Sequence, residues 1–351
     1  MVICRKGFFI GIYKTSLVKN MNDCYQIDLF NFKLSSGKIL PFLPLLYQSF
    51  GQRIGTAPVV LINHALTGNS NVAGEAGWWK QLVGFNQTIN LNAFSVIAFN
   101  IPGNGYNGSP LVDNYQDFTT QDIARIFWEG LFTLGINELF AVVGGSLGGG
   151  IAWEMTFLQP KAIQFLIPIA SNWRANDWLI ANVLVQENIL NNSSSPIKDA
   201  RAHAMLLYRT PESLNQKFEN AKVSEDEYKV ENWLNYHGET LKNRFQLKSY
   251  LLMNHLLKTI GENLSMQDME SFLETTTAQI CQVCIGSDYL FTANDNRELH
   301  NKFSKQYEKM QLFEMQSIHG HDAFLMEYEQ LNTILKSIFT NTTKEIELCK
   351  S

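Results

Sequence analysis

The chain has 351 residues, 45% hydrophobic and 17% charged, with 28 basic and 33 acidic side chains for a net charge of −5. An ordinary apolar content excludes a disordered, collagenous or coiled-coil protein, and the lack of any basic tract argues against nucleic-acid binding. At roughly 150 residues per domain, the length fits two domains, or one large α/β domain carrying an insertion.

At the start, Arg5 and Lys6 precede an apolar stretch, 7–13, that Lys14 cuts short, and no small-residue cleavage site follows. Residues 1–20 therefore read as an extension ahead of Met21, and the expectation is a cytoplasmic enzyme. No membrane partner is expected: the uncharged run 139–153 is too short and too rich in glycine to span a bilayer. The five cysteines, Cys4, Cys24, Cys281, Cys284 and Cys349, are too scattered for a disulfide framework and fit a reducing compartment. Cys281 and Cys284 form a CxxC pair, but a zinc site would want a second pair. They read as core thiols on a buried strand, and no metal site is expected.

Residues 22–60 alternate in short apolar segments, the mark of antiparallel strands. The pattern then changes to continuous apolar runs at 59–63, 94–99, 140–143, 163–169 and 280–285, each ending in a loop, with helix-like stretches between them. Such runs indicate parallel strands buried on both faces. From 172 to 275 strand-like runs are few and helix formers dominate, at 178–190, 201–208, 212–221, 245–257 and 266–273, with a loop signal at 191–196. The division is a core of 21–171 and 276–351, with 172–275 as an inserted helical lid.

The sharpest chemical signal is Gly144-Gly145-Ser146-Leu147-Gly148, after the run 140–143 and before a helix-like stretch stopped by Pro160. Strand, G-x-S-x-G and helix in that order form the nucleophile elbow of α/β-hydrolases. The serine needs a tight, strained turn, and flanking glycines give the room. The turn also aims the amide of Leu147 at a reacting carbonyl oxygen. An elbow needs an acid and then a histidine further along the chain. Asp288 stands just past the run 280–285, at the strand end where such sheets carry function. His319 and His321 follow in a loop before the last helix-like stretch, and position alone does not choose between them. Ser146 would be the nucleophile, a histidine its base, and Asp288 the group that fixes the imidazole tautomer. A second oxyanion amide is expected near Leu66, in the loop after 59–62. His64 reads as a structural histidine.

Together these segments resemble the homoserine O-acyltransferases of methionine biosynthesis, a family with the α/β-hydrolase fold: a mostly parallel central sheet flanked by helices, with an inserted helical lid. The carrying segments are His64-Ala65-Leu66-Thr67-Gly68, Gly77-Trp78-Trp79, the elbow, Asn172-Trp173-Arg174, Ser287-Asp288-Tyr289-Leu290-Phe291 and Gly320-His321-Asp322-Ala323-Phe324-Leu325. The last of them selects His321 over His319. The segments 201–209 and 230–245 are similar to the family's lid helices. The resemblance implies a ping-pong cycle in which Ser146 takes an acetyl group from acetyl-coenzyme A, a co-substrate, and homoserine's hydroxyl attacks the acyl-enzyme. No bound cofactor is implied. Arg201 would hold the amino acid's carboxylate, Tyr208 would line the same pocket, and Asp322 would receive the α-amino group. It further implies a homodimer built through the lid.

Three segments depart from the family pattern: 83–86, 102–110 and 217–220. They leave succinyl-coenzyme A as an alternative donor and serine or another hydroxy compound as an alternative acceptor. An esterase would use the same triad with water as acceptor. A non-catalytic interaction module is the remaining class, and it would have no use for an intact triad.

Overall fold

The computed structural model describes residues 24–350. The proposed extension, 1–20, and Cys4 lie outside them. Eight strands form one sheet: β1 (Tyr25–Lys33), β2 (Ile39–Gly51), β3 (Val59–Asn63), β4 (Ser95–Phe99), β5 (Leu139–Gly145), β6 (Ile163–Ile169), β7 (Gln279–Ile285) and β8 (Met310–Met315). Their order across the sheet is β1-β2-β4-β3-β5-β6-β7-β8. The β1–β2 and β2–β4 pairings are antiparallel, and all later pairings are parallel.

The parallel strands are buried on both faces because their side chains feed two separate cores. In β3, Val59 and Leu61 join one cluster while Val60 and Ile62 join the other, which is the period-two alternation of a strand. Helices α1 (Thr120–Thr133) and α2 (Leu147–Leu158) cover the first face. Helix α10 (Tyr328–Lys350) covers the second, with Leu331, Leu335 and Phe339 packed among Trp79, Phe94 and Phe140. Helix α9 (Ala293–Phe303) sits between β7 and β8 in the chain. The result is a three-layer α/β arrangement.

The excursion between β6 and β7 holds α3 (Asp177–Asn192), α4 (Pro196–Tyr208), α5 (Pro211–Phe218), α6 (Lys229–Lys242), α7 (Leu247–Lys258) and α8 (Met266–Thr275). The loop signal at 191–196 is where α3 ends and Pro196 opens α4, the position where proline's missing N–H costs nothing. Helix α4 packs against both α3 and α6, and the three form a cap. The excursion is not lid throughout. Thr259, just after α7, bonds Thr120 at the start of α1, and Phe272 of α8 packs on Trp153 and Phe157 of α2. The last third of the segment thus returns to the core, because α8 offers an apolar face that α2 buries. The stretch expected to be helical to 221 stops at Phe218, where Glu219 and Asn220 turn left-handed and lead into a small hairpin, Lys222–Ser224 with Glu227–Tyr228. Among the described residues no helix is long and apolar enough to cross a membrane.

Candidate active site

Ser146 follows β5, near the middle of the sheet, and is the N-cap of α2. Its backbone sits at φ 57, ψ −124, a conformation that costs a non-glycine residue of order 1–3 kcal/mol and persists only where the surroundings impose it. They do so here: the Ser146 amide donates to the Ile169 carbonyl of β6 at 2.9 Å, and its carbonyl accepts from Gly149 and Gly150. Gly148 is the residue that lets the turn close. A Cβ there would lie 2.2 Å from the Asn63 carbonyl oxygen, so glycine alone allows the end of β3 to meet the start of α2.

Three segments at the C-terminal ends of strands converge on this serine. His321, on a 3-10 turn (Gly320–Leu325) after β8, places Nε2 2.9 Å from Ser146 Oγ. Asp288, after β7, places Oδ2 2.7 Å from His321 Nδ1. Asp288 Oδ1 accepts the amides of Leu290 and Phe291 at 2.7 and 3.0 Å, so the carboxylate is held in one orientation. All three side chains are buried, at 3–4% exposure. Burial alone would lower the histidine's pKa, but the charge and hydrogen bond of Asp288 outweigh it and hold His321 above its ordinary value. The imidazole is packed by Phe291, stacked at 5.8 Å, by Phe324 edge-on at 5.7 Å, and by Tyr208 at 5.4 Å.

Leu66 and Leu147 follow the adjacent strands β3 and β5. Leu147 opens α2, so its amide has no acceptor within the helix. His64 is fully buried, with Nε2 accepting from the Ile101 amide at 3.1 Å and Nδ1 2.8 Å from the Ala65 carbonyl. The Ile101 bond requires an unprotonated Nε2, so Nδ1 carries the proton and donates. Burial pushes its pKa down to about 4, against the Ala65 bond that raises it. His64 is thus a neutral brace that shapes the loop 64–68.

Arg201 and Tyr208 share α4, seven residues and two turns apart. The guanidinium carbon stands 5.3 Å from the Tyr208 ring centre, and the same ring faces His321. Asp322 is half-buried beside the histidine. Burial raises its pKa, and the charges of Arg201, His321 and Arg209 oppose that rise. A cation and an anion therefore stand within one field on the cap side of the triad. A narrow cavity lies under the cap between Leu66, Leu179, Val183, Tyr250 and Leu290, and no charged side chain lines it. Neither 83–86 nor 102–110 borders it. Val83 is buried in the α10-side cluster, and Gly105 packs against Ser249 of α7.

Cys281 and Cys284 are buried free thiols on β7, pushed by burial up to about 12 and about 11. Among the described residues no three His, Cys, Asp or Glu side chains group to hold a metal. The sequence reading missed the aromatic housing of His321 and the polar contacts of Arg209 and Arg244. Phe291 and Phe324 lie inside quoted segments, yet an aromatic residue in a loop does not announce which ring it faces.

Residues 58–259 match the family described as alpha/beta hydrolase fold. A homoserine O-acetyltransferase of Cyclobacterium marinum is 29% identical over 329 residues, spanning 87% of this chain and 92% of that protein. A homoserine O-succinyltransferase of Pseudomonas fluorescens is 29% identical over 336 residues, spanning 84% and 89%. Among solved structures, esterase E22 superposes with a TM-score of 0.79 at 15% identity, covering 90% of this chain and 99% of its own.

Proposed function

This chain belongs to the α/β-hydrolase fold family, and on that premise we propose that it is an O-acyltransferase moving an acetyl group from acetyl-coenzyme A to the hydroxyl of L-homoserine. One observation carries the choice of transfer over hydrolysis: Arg201 stands over the Tyr208 ring that faces His321, and its charge acts on Asp322, the residue after that histidine. A guanidinium fork suits a carboxylate and an aspartate suits an ammonium. That pair matches the two charged groups of an amino acid, and an esterase has no reason to assemble it.

In the first half-reaction His321 Nε2 takes the proton of Ser146 Oγ, which attacks the thioester carbonyl. The amides of Leu66 and Leu147 receive the oxyanion. Collapse breaks the carbon–sulfur bond, and His321 gives its proton to the departing coenzyme A thiol. In the second, His321 takes the proton of the homoserine hydroxyl, whose oxygen attacks the acyl-serine. Collapse returns Ser146 Oγ, which recovers the proton, and O-acetylhomoserine leaves. Asp288 holds the imidazole's orientation and stabilises its charge in both halves. The cycle needs no bound cofactor. Relatives named homoserine O-acetyltransferase, that of Cyclobacterium marinum among them, support acetyl over succinyl as the group transferred.

The product places the enzyme in methionine biosynthesis, and its acyl-coenzyme A substrate argues for the cytoplasm. The apolar residues that α3 leaves exposed, among them Leu184 at 57% and Val185 at 44%, support a homodimer formed through the cap. The test is coenzyme A release from acetyl-coenzyme A, with and without L-homoserine, with the product identified by mass and the Ser146→Ala variant as blank. Homoserine-dependent release with O-acetylhomoserine formed is the expected result. Release that ignores homoserine and yields acetate would make it an esterase, and release only from succinyl-coenzyme A would change the donor.

A further inference from the structure

Beside the elbow that bears Ser146 and Leu147, three segments hold groups assigned to catalysis: 64–68 after β3, 286–291 after β7 and 316–325 after β8. All are loops or short turns, and each receives a side-chain donor from the end of a cap helix. Trp178 Nε1, at the start of α3, donates to the Tyr289 carbonyl at 2.5 Å. Arg244, between α6 and α7, donates to the Thr67 carbonyl at 2.9 Å. Arg209, the residue after α4, donates to His319 Nδ1 at 3.1 Å.

The third contact is the most enclosed, with Arg209 only 7% exposed. Its Nε and Nη2 reach Ser213 Oγ at 3.2 and 2.6 Å, and that hydroxyl lies 3.0 Å from the same His319 Nδ1. Thr210 Oγ1 donates to the Ile318 carbonyl. Gly320, at φ +66, approaches so closely that a Cβ would stand 2.9 Å from the Tyr208 carbonyl oxygen. Residues 208–213 and 318–320 are therefore in direct backbone contact, one residue before His321. A guanidinium only donates, so His319 Nδ1 is an acceptor and the ring is fixed in one tautomer. On the other side, Ser287 Oγ donates to the Ser317 carbonyl at 2.5 Å and accepts from the Gly320 amide at 3.2 Å. The turn that bears His321 is gripped between the Asp288 segment and the cap.

We propose that Arg209 is a positioning residue: through His319 it holds the 318–321 turn so that His321 Nε2 stays within hydrogen-bond reach of Ser146. The cap then belongs to the proton-transfer machinery as well as covering it. The proposal rests on the acyl-enzyme reading, and it explains a histidine that competes with His321 in the sequence and has no place in the triad.

The experiment measures the rate at which a serine-reactive phosphonate labels Ser146, alongside the thermal midpoint and the KM for homoserine. Wild type labels; a wild type that does not would overturn the acyl-enzyme reading, and this proposal with it. In the Arg209→Met variant labelling slows by about 10–100-fold, the scale of a misplaced catalytic group, while the homoserine KM stays near wild type. Arg201→Met gives the opposite split, a raised KM with labelling retained. His319→Leu slows labelling as Arg209→Met does, and His319→Asn, whose Oδ1 stands where Nδ1 accepts, recovers most of the rate. If Arg209→Met yields no folded protein, the two His319 variants carry the test. Folded Arg209→Met or His319→Leu protein that labels at the wild-type rate would overturn the proposal. So would a His319→Asn variant no faster than His319→Leu.

Discussion

His321 must be neutral to take a proton, and Asp288 holds its pKa above the ordinary 6.5. Activity therefore falls as pH drops through a value above 6.5. Asp288→Asn removes the charge that raises it, so the acid limb moves to lower pH and the rate falls by about 10⁴. A pH–rate profile of both proteins checks this, and an unmoved limb would assign the titration to another group. Arg201→Ala removes a charge-assisted contact worth roughly 1.5–3 kcal/mol, so the homoserine KM rises about 10–100-fold while acylation by the donor is little changed. Half-reaction kinetics separate the two effects, and equal losses in both would count against the assigned role. Ser146 and Asp288 were legible because glycine spacing, chain order and position after a strand single them out, whereas only the family resemblance chose His321 over His319. Arg201 was not, since an arginine on a polar helix defaults to a solvated one, and only the family resemblance singled it out. Arg209 and His319 are 110 residues apart, and no local pattern records such a contact.

Helix α2 carries more than the nucleophile's turn. Glu154 on it is 2% exposed, its Oε1 accepts the Gly261 amide at 2.8 Å, and its Oε2 has no partner. Burial pushes its pKa up to about 7, against the Gly261 bond, with Glu262 and Asp122 adding to the rise. A carboxyl raised on folding contributes stability that is full below its unfolded pKa near 4.5 and lost as pH rises through about 7. Glu154→Gln keeps an acceptor for Gly261 and removes that loss, a gain of up to roughly 3 kcal/mol at pH 8 with little change at pH 4. Thermal melts at both values check it; an equal shift at each would show that ionisation is not involved. At this scale the strands of the parallel sheet were legible because continuous apolar runs have few other uses. The hairpin at 222–228 was not, because its residues are polar and largely exposed and no alternation marks them. The return of α8 to the core was also hidden, since an amphipathic helix does not say which surface it covers.

At the scale of the molecule, the strand order β1-β2-β4-β3-β5-β6-β7-β8 was beyond local reading, because pairing joins segments far apart in the chain. The exposed apolar residues of α3 are the face on which the proposed homodimer would form. Leu184→Glu puts a charge on that face and would dissociate the proposed homodimer, which light scattering or sedimentation would detect; an unchanged mass would assign the interface elsewhere. The hydrogen bond between Ser146 and His321 spans 175 residues. At about 5–20 residues per second of synthesis, the ribosome makes the base roughly 10–35 s after the nucleophile. Through that interval the elbow, its glycines and the oxyanion loop can all be in place with no group to draw the proton from Ser146. On the proposed mechanism the nascent protein is inert by its own topology until β8 takes its place at the edge of the sheet and brings His321 behind it.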